Sequence, residues 1–161
     1  MASSYTCLSD SKFYGRCGEF GTALQIAENI TRGYTKSAAL TDIAELQQKV
    51  DPDGAKSTID EALRIAKGIE ELDDSARALT KIAELQLKVD LDGAKSTLGT
   101  SLRICQSTFR GRRTEESLAR IAELQAQVGD FNTAFCIVRN IREHYIRSEA
   151  LANIAVMQAQ D

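Results

Sequence analysis

The string Ile-Ala-Glu-Leu-Gln occurs three times, at 43–47, 82–86 and 121–125, each copy 39 residues after the one before. An altered copy, IAVMQ, follows at 154–158, 33 residues further on. Aligning 36–74 with 75–113 gives 20 identities in 39 positions, and GEFGTALQIAENI at 18–30 is answered by GDFNTAFCIVRNI at 129–141. A short unit cannot bury its apolar side by itself, so tandem copies must stack on one another. The 161 residues therefore divide into a series of small units.

The units are helical. The recurring segment places Leu40, Ile43, Ala44 and Leu46 at spacings of three and four, and Leu79, Ile82, Ala83 and Leu85 repeat them. Leu118, Ile121, Ala122 and Leu124 form the third set, and Leu151, Ile154, Ala155 and Met157 the fourth. That period is 3.6, the signature of one helical face, and Val50, Val89 and Val128 extend it. A second helix follows a turn, with Ala55, Ile59, Ala62, Ala66 and Ile69 on its apolar side. The single Pro, Pro52, follows an Asp that can cap the free N–H groups, and Pro fits the first helical position. Ala55 to Ile82 and Ala94 to Ile121 span 27 residues, against 20 for Ala23 to Ile43 and Ala134 to Ile154. Seven residues are about two helical turns, so the two central second helices are expected to be longer. Eight helices are predicted, over 19–31, 36–50, 53–71, 75–89, 93–109, 114–128, 131–143 and 147–159. Residues 1–17 read as a degenerate cap or tail, with Leu8, Phe13 and Cys17 as its docking residues. The remainder, 18–161, reads as one domain with units at 18–50, 51–89, 90–128 and 129–161.

Composition narrows the function. Hydrophobic residues at 43% and charged residues at 27% belong to a folded chain. A net charge of −3 disfavours nucleic-acid binding, which draws on clustered cations. No apolar run reaches the ~18–20 residues of a spanning helix, and MASSYTCLSD has neither part of a signal peptide. The expectation is a cytoplasmic protein without membrane insertion. Cys7, Cys17, Cys105 and Cys136 lack zinc-site spacing, and neither metal nor cofactor is expected.

GDFNTA at 129–134 and GEFGTA at 18–23 resemble the turn and second-helix opening of the tetratricopeptide repeat. Ala44, Ala83, Ala122 and Ala155 stand at that family's small helix-contact position, and Leu40, Leu79, Leu118 and Leu151 at its first-helix anchor. The resemblance covers about 20–160. It implies an all-α fold, a right-handed α-solenoid of four stacked antiparallel hairpins, and a concave groove lined by first helices. In that groove it places Glu45, Glu84 and Glu123 as an acidic row, with Thr41, Gln48, Arg77, Thr80 and Leu87 around them. Such a row suits a ligand bearing Lys or Arg. The plainer reading makes Glu45–Lys49 and Glu84–Lys88 pairs within one helix.

Other motifs have structural readings. DGAKST at 53–58 and 92–97 lacks the upstream Gly and strand of a phosphate loop, and DPDG lacks the glycine position of a calcium loop; both read as helix starts. Gln47, Gln86, Gln125 and Gln158 recur on one face, either as half-buried residues or as an amide ladder between units. His144, the only histidine, sits near a helix end, where C-terminal carbonyls can meet it. At the unit tips Glu70, Glu71, Asp73 and Asp74 align with Phe109, Arg110, Arg112 and Arg113, so acids in one unit face bases in the next. Stacking would pair them and fix register; alternatively RGRR at 110–113 is a site for an anion or a partner. At the far end Leu151, Ile154 and Met157 are expected to lack cover and to offer a surface for a homodimer. Together these features favour a non-catalytic interaction module or scaffold that binds a peptide or helix of another protein. The alternative is a helical-repeat nucleic-acid binder using the Arg-rich tip with Arg139, Arg142 and Arg147.

Overall fold

The computed structural model describes residues 4–108 and 111–160, and the described residues are helical throughout, with no strand. Nine helices run in order: α1 (Ser4–Arg16), α2 (Phe20–Glu28), α3 (Gly33–Gln47), α4 (Pro52–Lys67), α5 (Leu72–Gln86), α6 (Leu91–Ser107), α7 (Arg112–Gln127), α8 (Phe131–Arg139) and α9 (His144–Gln160). The segment expected as a degenerate cap is thus mostly helix. Leu8 packs into the core, whereas Phe13 is 63% exposed and Cys17 is exposed.

Local chemistry sets the boundaries. Asp51, Asp90 and Asp130 cap α4, α6 and α8, each accepting from a backbone N–H three residues on at 2.9–3.0 Å. Such caps satisfy donors that a helix start leaves orphaned. Gly18 and Gly129 adopt φ of 79° and 80° after α1 and α7, the left-handed conformation that glycine enters without a Cβ penalty. The helices α3 and α5 stop at Gln47 and Gln86 and turn without a left-handed residue. Val50 and Val89 therefore leave the helical face and are 74% and 55% exposed. As the spacing predicts, α4 and α6 have 16 and 17 residues against nine in α2 and α8.

Each helix packs only against the next one and the next but one among the described residues. The closest partners are the antiparallel hairpins α1/α2, α3/α4, α5/α6 and α7/α8. The odd-numbered helices also approach in sequence, α1 to α3 to α5 to α7 to α9, whereas the backbones of the even-numbered helices stay further apart. Small residues allow this close approach: Ala39, Ala44, Ala62, Ala66, Ala83 and Ala122 are 0% exposed. The core forms two clusters, one centred on Leu40, Ile43, Leu79 and Ile82, the other on Leu98, Leu118, Ile121, Leu124 and Ile154. Ile104 of α6 packs against both.

Ile154 is itself 0% exposed and Met157 is partly buried against the second cluster. The expectation that both lie uncovered is therefore wrong: this side of α9 faces α7 and α8, and of the three named residues only Leu151, at 38%, is exposed.

Candidate functional site

The open face of the odd-helix layer carries polar side chains from all five helices. Positions 42, 81 and 120 are equivalent in the repeat and hold Asp, Lys and Arg. Asp42 of α3 receives Lys12 of α1 at 2.7 Å and Lys81 of α5 at 2.5 Å. Glu45 of α3 pairs with Lys88, just beyond the end of α5, at 2.6 Å. Arg120 of α7 reaches Glu84 of α5 at 2.5 Å and Glu123 of its own helix at 3.0 Å. Asn153 of α9 then donates to Glu123 at 2.6 Å. Every junction between successive odd helices is thus bridged by a polar pair. Alongside, the Arg77 guanidinium lies 4.6 Å from the centre of the Tyr34 ring, within cation–π range.

This arrangement changes the reading of the acidic row. The expected pairs Glu45–Lys49 and Glu84–Lys88 are replaced by contacts between helices, because Lys88 leans back to Glu45. Glu84 and Glu123 share one guanidinium. Burial alone would lower the pKa of Arg120, but its hydrogen bonds to Glu123 and Glu84 outweigh that and hold it above its ordinary value. The ridge is therefore a ladder of alternating sign, and its three glutamates already have cationic partners. Exposed pairs contribute about 0–1 kcal/mol each; linked in series they set the register of one helix against the next.

The other expected groove residues separate. Thr41 and Thr80 are 4% exposed, and of the two only Thr80 borders the open face, at a small ridge cleft. Their hydroxyls donate to the carbonyls of Ser37 and Ala76 one turn earlier, and Thr80 also lies 2.9 Å from Ser101 Oγ of α6, which turns both hydroxyls toward the hairpin interior. Leu87 is partly buried against the second core cluster. Gln48 borders a cleft of about 560 Å³ between α3/α4 and α5/α6, with Lys56, Ile59, Asp60, Gln86 and Asp90. Gln48 Nε2 and Gln86 Oε1 are buried there without a hydrogen-bond partner among the described residues. A smaller cleft of about 190 Å³ on the ridge is bordered by Tyr34, Arg77, Thr80, Lys81, Glu84 and Arg120, below the ~300–1,000 Å³ of small-molecule sites.

The recurring glutamines do not form a ladder between units. Gln47 Oε1 lies 2.8 Å from the Thr58 hydroxyl in its own hairpin, Gln86 is buried, Gln125 is half-buried and Gln158 is exposed. At the tips, Asp74 is a hub: Arg77, Arg113 and Arg32 lie 3.5, 3.7 and 4.0 Å from it. The Thr114 hydroxyl donates to Asp73 at 2.8 Å. Arg112 turns instead to Glu116 of its own helix, Glu71 is exposed just before α5, and Arg110 lies outside the described residues. His144 opens α9 instead of closing a helix, with Arg147 Nη2 at 2.7 Å from Nδ1. Sequence reasoning missed Lys12, Tyr34, Asp42, Lys81, Arg120 and Asn153. The signal for three of them was present, since opposite charges recur at the 39-residue period. No group of three metal-ligating residues occurs among the described residues, and none of the described helices is long and apolar enough to cross a membrane.

Compared with known protein families, curated proteins and solved structures, the chain matches none of them. Its function must be argued from its own geometry.

Proposed function

We propose that the chain is a non-catalytic protein-interaction module, a tetratricopeptide-like α-solenoid with a right-handed superhelix, whose odd-helix ridge binds a peptide or helix of a partner protein. The observation that carries this reading is the packing order: each helix touches only its near neighbours, so five helices contribute to one continuous open face. An extended face of that kind suits an extended ligand. The ladder also defines what the ligand must offer. The acids of the ridge are paired, so a purely basic peptide would have to displace Lys88 and Arg120. A ligand with both signs of charge and a flat group for the Tyr34–Arg77 corner meets the surface without breaking it.

Photo-crosslinking tests the proposal. A photoreactive amino acid at Glu116, exposed beside the ridge cleft, is compared with one at Ser57 on the outer side of α4 in native lysate. A discrete partner captured from the ridge position and lost on Glu84→Lys with Glu45→Lys supports it. Identical capture from both positions rejects it.

A further inference from the structure

At the cleft of about 560 Å³ beside the α3–α4 and α5–α6 turns, two side chains depart from the pattern of the repeat. In α3/α4, Gln47 Oε1 accepts from the Thr58 hydroxyl at 2.8 Å. The equivalent residues in α5/α6 are Gln86 and Thr97. Yet Gln86, only 5% exposed, leaves Oε1 without a partner among the described residues. The second departure is Gln48. Its equivalents are Leu87, packed against the second core cluster, and Ala126, 3% exposed. Where two units carry an apolar side chain, this one carries an amide whose Nε2 is buried and unpartnered among the described residues.

A buried donor or acceptor that gives up water and gains no partner is destabilising, and folded proteins hold few of them. Here an unused donor and an unused acceptor border the same cleft. One hairpin on, the corresponding cleft of about 510 Å³ has Leu87, Leu91 and Val128 in place of Gln48, Pro52 and Val89. No buried, unpartnered side-chain group borders it among the described residues. Stacking of the hairpins therefore opens a cleft at these turns without needing amides in it.

The walls restrict what the cleft can take. Pro52, Ile59 and Val89 are apolar, and Lys56 and Asp60 put both signs of charge on its border. Asp90 is already committed to the Gly93 N–H. The unmet demand is neutral: an acceptor for Gln48 Nε2 and a donor for Gln86 Oε1. A carboxamide supplies both on adjacent atoms, and an aliphatic stem suits Ile59 and Val89. The last torsion of a glutamine is soft, so both amides can turn to meet a ligand. The volume falls within the ~300–1,000 Å³ of small-molecule sites.

We propose that this cleft binds a neutral carboxamide on an aliphatic stem, the group carried by a glutamine side chain or by a small free amide. The cleft shares no residue with the ridge ladder, and the proposal does not depend on the reading of the ridge.

Titration of the full chain with butyramide, followed at the glutamine side-chain N–H resonances by NMR, tests it. The Gln48 and Gln86 signals are expected to move together and to saturate in the millimolar range, the affinity open to a ligand of so few atoms. Butyrate, of the same shape but without a donor, should bind at least about tenfold more weakly. Gln48→Leu copies the Leu87 arrangement into the site. It should weaken butyramide binding at least about tenfold and leave the unfolding midpoint unchanged or raised, because an unpaired buried donor is removed. Acetyl-Ala-Gln-Ala-amide and its Glu counterpart separate the two sources. Preference for the Gln peptide at the same resonances assigns a glutamine side chain of a partner, and binding of butyramide alone assigns a free small amide. No saturating shift up to ~100 mM overturns the proposal, as do equal affinities for butyrate and butyramide or undiminished binding by Gln48→Leu. Contact of the two amides with water alone overturns it as well.

Discussion

The hairpins α3/α4 and α5/α6 share 20 of 39 aligned residues, yet they make their central hydrogen bond from opposite sides. In the first, Ser37 of α3 donates to the Ala62 carbonyl of α4 at 3.2 Å. Thirty-nine residues on, the two types are exchanged, and Ser101 of α6 donates to the Ala76 carbonyl of α5 at 2.9 Å. What recurs is a small pair with one hydroxyl at the closest crossing, and the helix supplying the hydroxyl can change. In the α7/α8 hairpin the same repeat position holds Glu115, buried, whose Oε2 accepts from the Arg142 backbone N–H at 2.7 Å. The repeat position is served twice by a hydroxyl donating to a carbonyl, from opposite helices, and once by a carboxylate accepting from a backbone N–H.

The largest test of this comparison lies in the apolar residues beside the crossing. Ile59 and Leu98 are equivalent, but Leu98 is 0% exposed while Ile59, at 6%, borders the 560 Å³ cleft. Truncation of an enclosed side chain leaves a cavity, whereas one beside open space leaves less. Leu98→Ala should lower stability by about 4 kcal/mol and Ile59→Ala by about 2 kcal/mol, read from chemical denaturation. Equal losses would mean that the two hairpins are packed alike and that the cleft is of no energetic account.

Much of this was legible in the sequence. The helices and the long central pair followed from period and spacing, because identical segments repeated at 39 residues admit few other readings. The Asp caps were legible for the same reason, as a start signal beside an apolar stripe. The open face was less so. Thr41 resembles a groove residue in linear position, yet its hydroxyl bonds back to its own helix and turns inward with no sequence mark. The ladder through Asp42, Lys81 and Arg120 required knowing that α3, α5 and α7 lie side by side, which a pairing rule confined to one helix cannot supply. On α9, Ile154 and Leu151 differ by only three residues, and only the packing of α7 decides which one is covered.

The crossing bond gives the next test. Ser37→Ala should cost about 1 kcal/mol, since a buried hydrogen bond is lost. Ser101→Ala should cost about half of that, because the Thr80 hydroxyl already lies 2.8 Å from the same carbonyl. Adding Ala62→Ser to Ser37→Ala copies the arrangement of the second hairpin into the first and should recover most of the loss. A double variant no more stable than the single one would show that the two crossings are not interchangeable.

A smaller effect separates the helix starts by pH. The Asp130 carboxyl is held below the ordinary carboxylate range by hydrogen bonds from the Thr133 side chain and backbone N–H. Because its folded-state pKa is depressed, the stability it contributes is complete above the unfolded value of about 3.9 and is lost as pH falls through the folded value. Asp130→Ala should cost about 1 kcal/mol at pH 7. Asp130→Asn retains a capping oxygen without a charge, so its acid limb below about pH 4 should be shallower than that of the natural chain. Superimposable acid limbs would assign the pH dependence to other carboxylates.

The smallest effect concerns the tips, where Asp74 is shared by three guanidiniums. Arg113 is 64% exposed in its side chain and Asp74 only 13%, so the two partners are not equivalent. Arg113→Glu removes one of three cations and should cost less than about 1 kcal/mol. Asp74→Arg should cost more, because it sets a fourth cation among Arg32, Arg77 and Arg113 and removes an acid from the first turn of α5, where a carboxylate is favourable. The double variant should recover part of that larger loss, with a coupling that fades in about 1 M salt, where screening acts within ~3 Å. A coupling unchanged by salt would place the connection between the two tips in packing and not in charge.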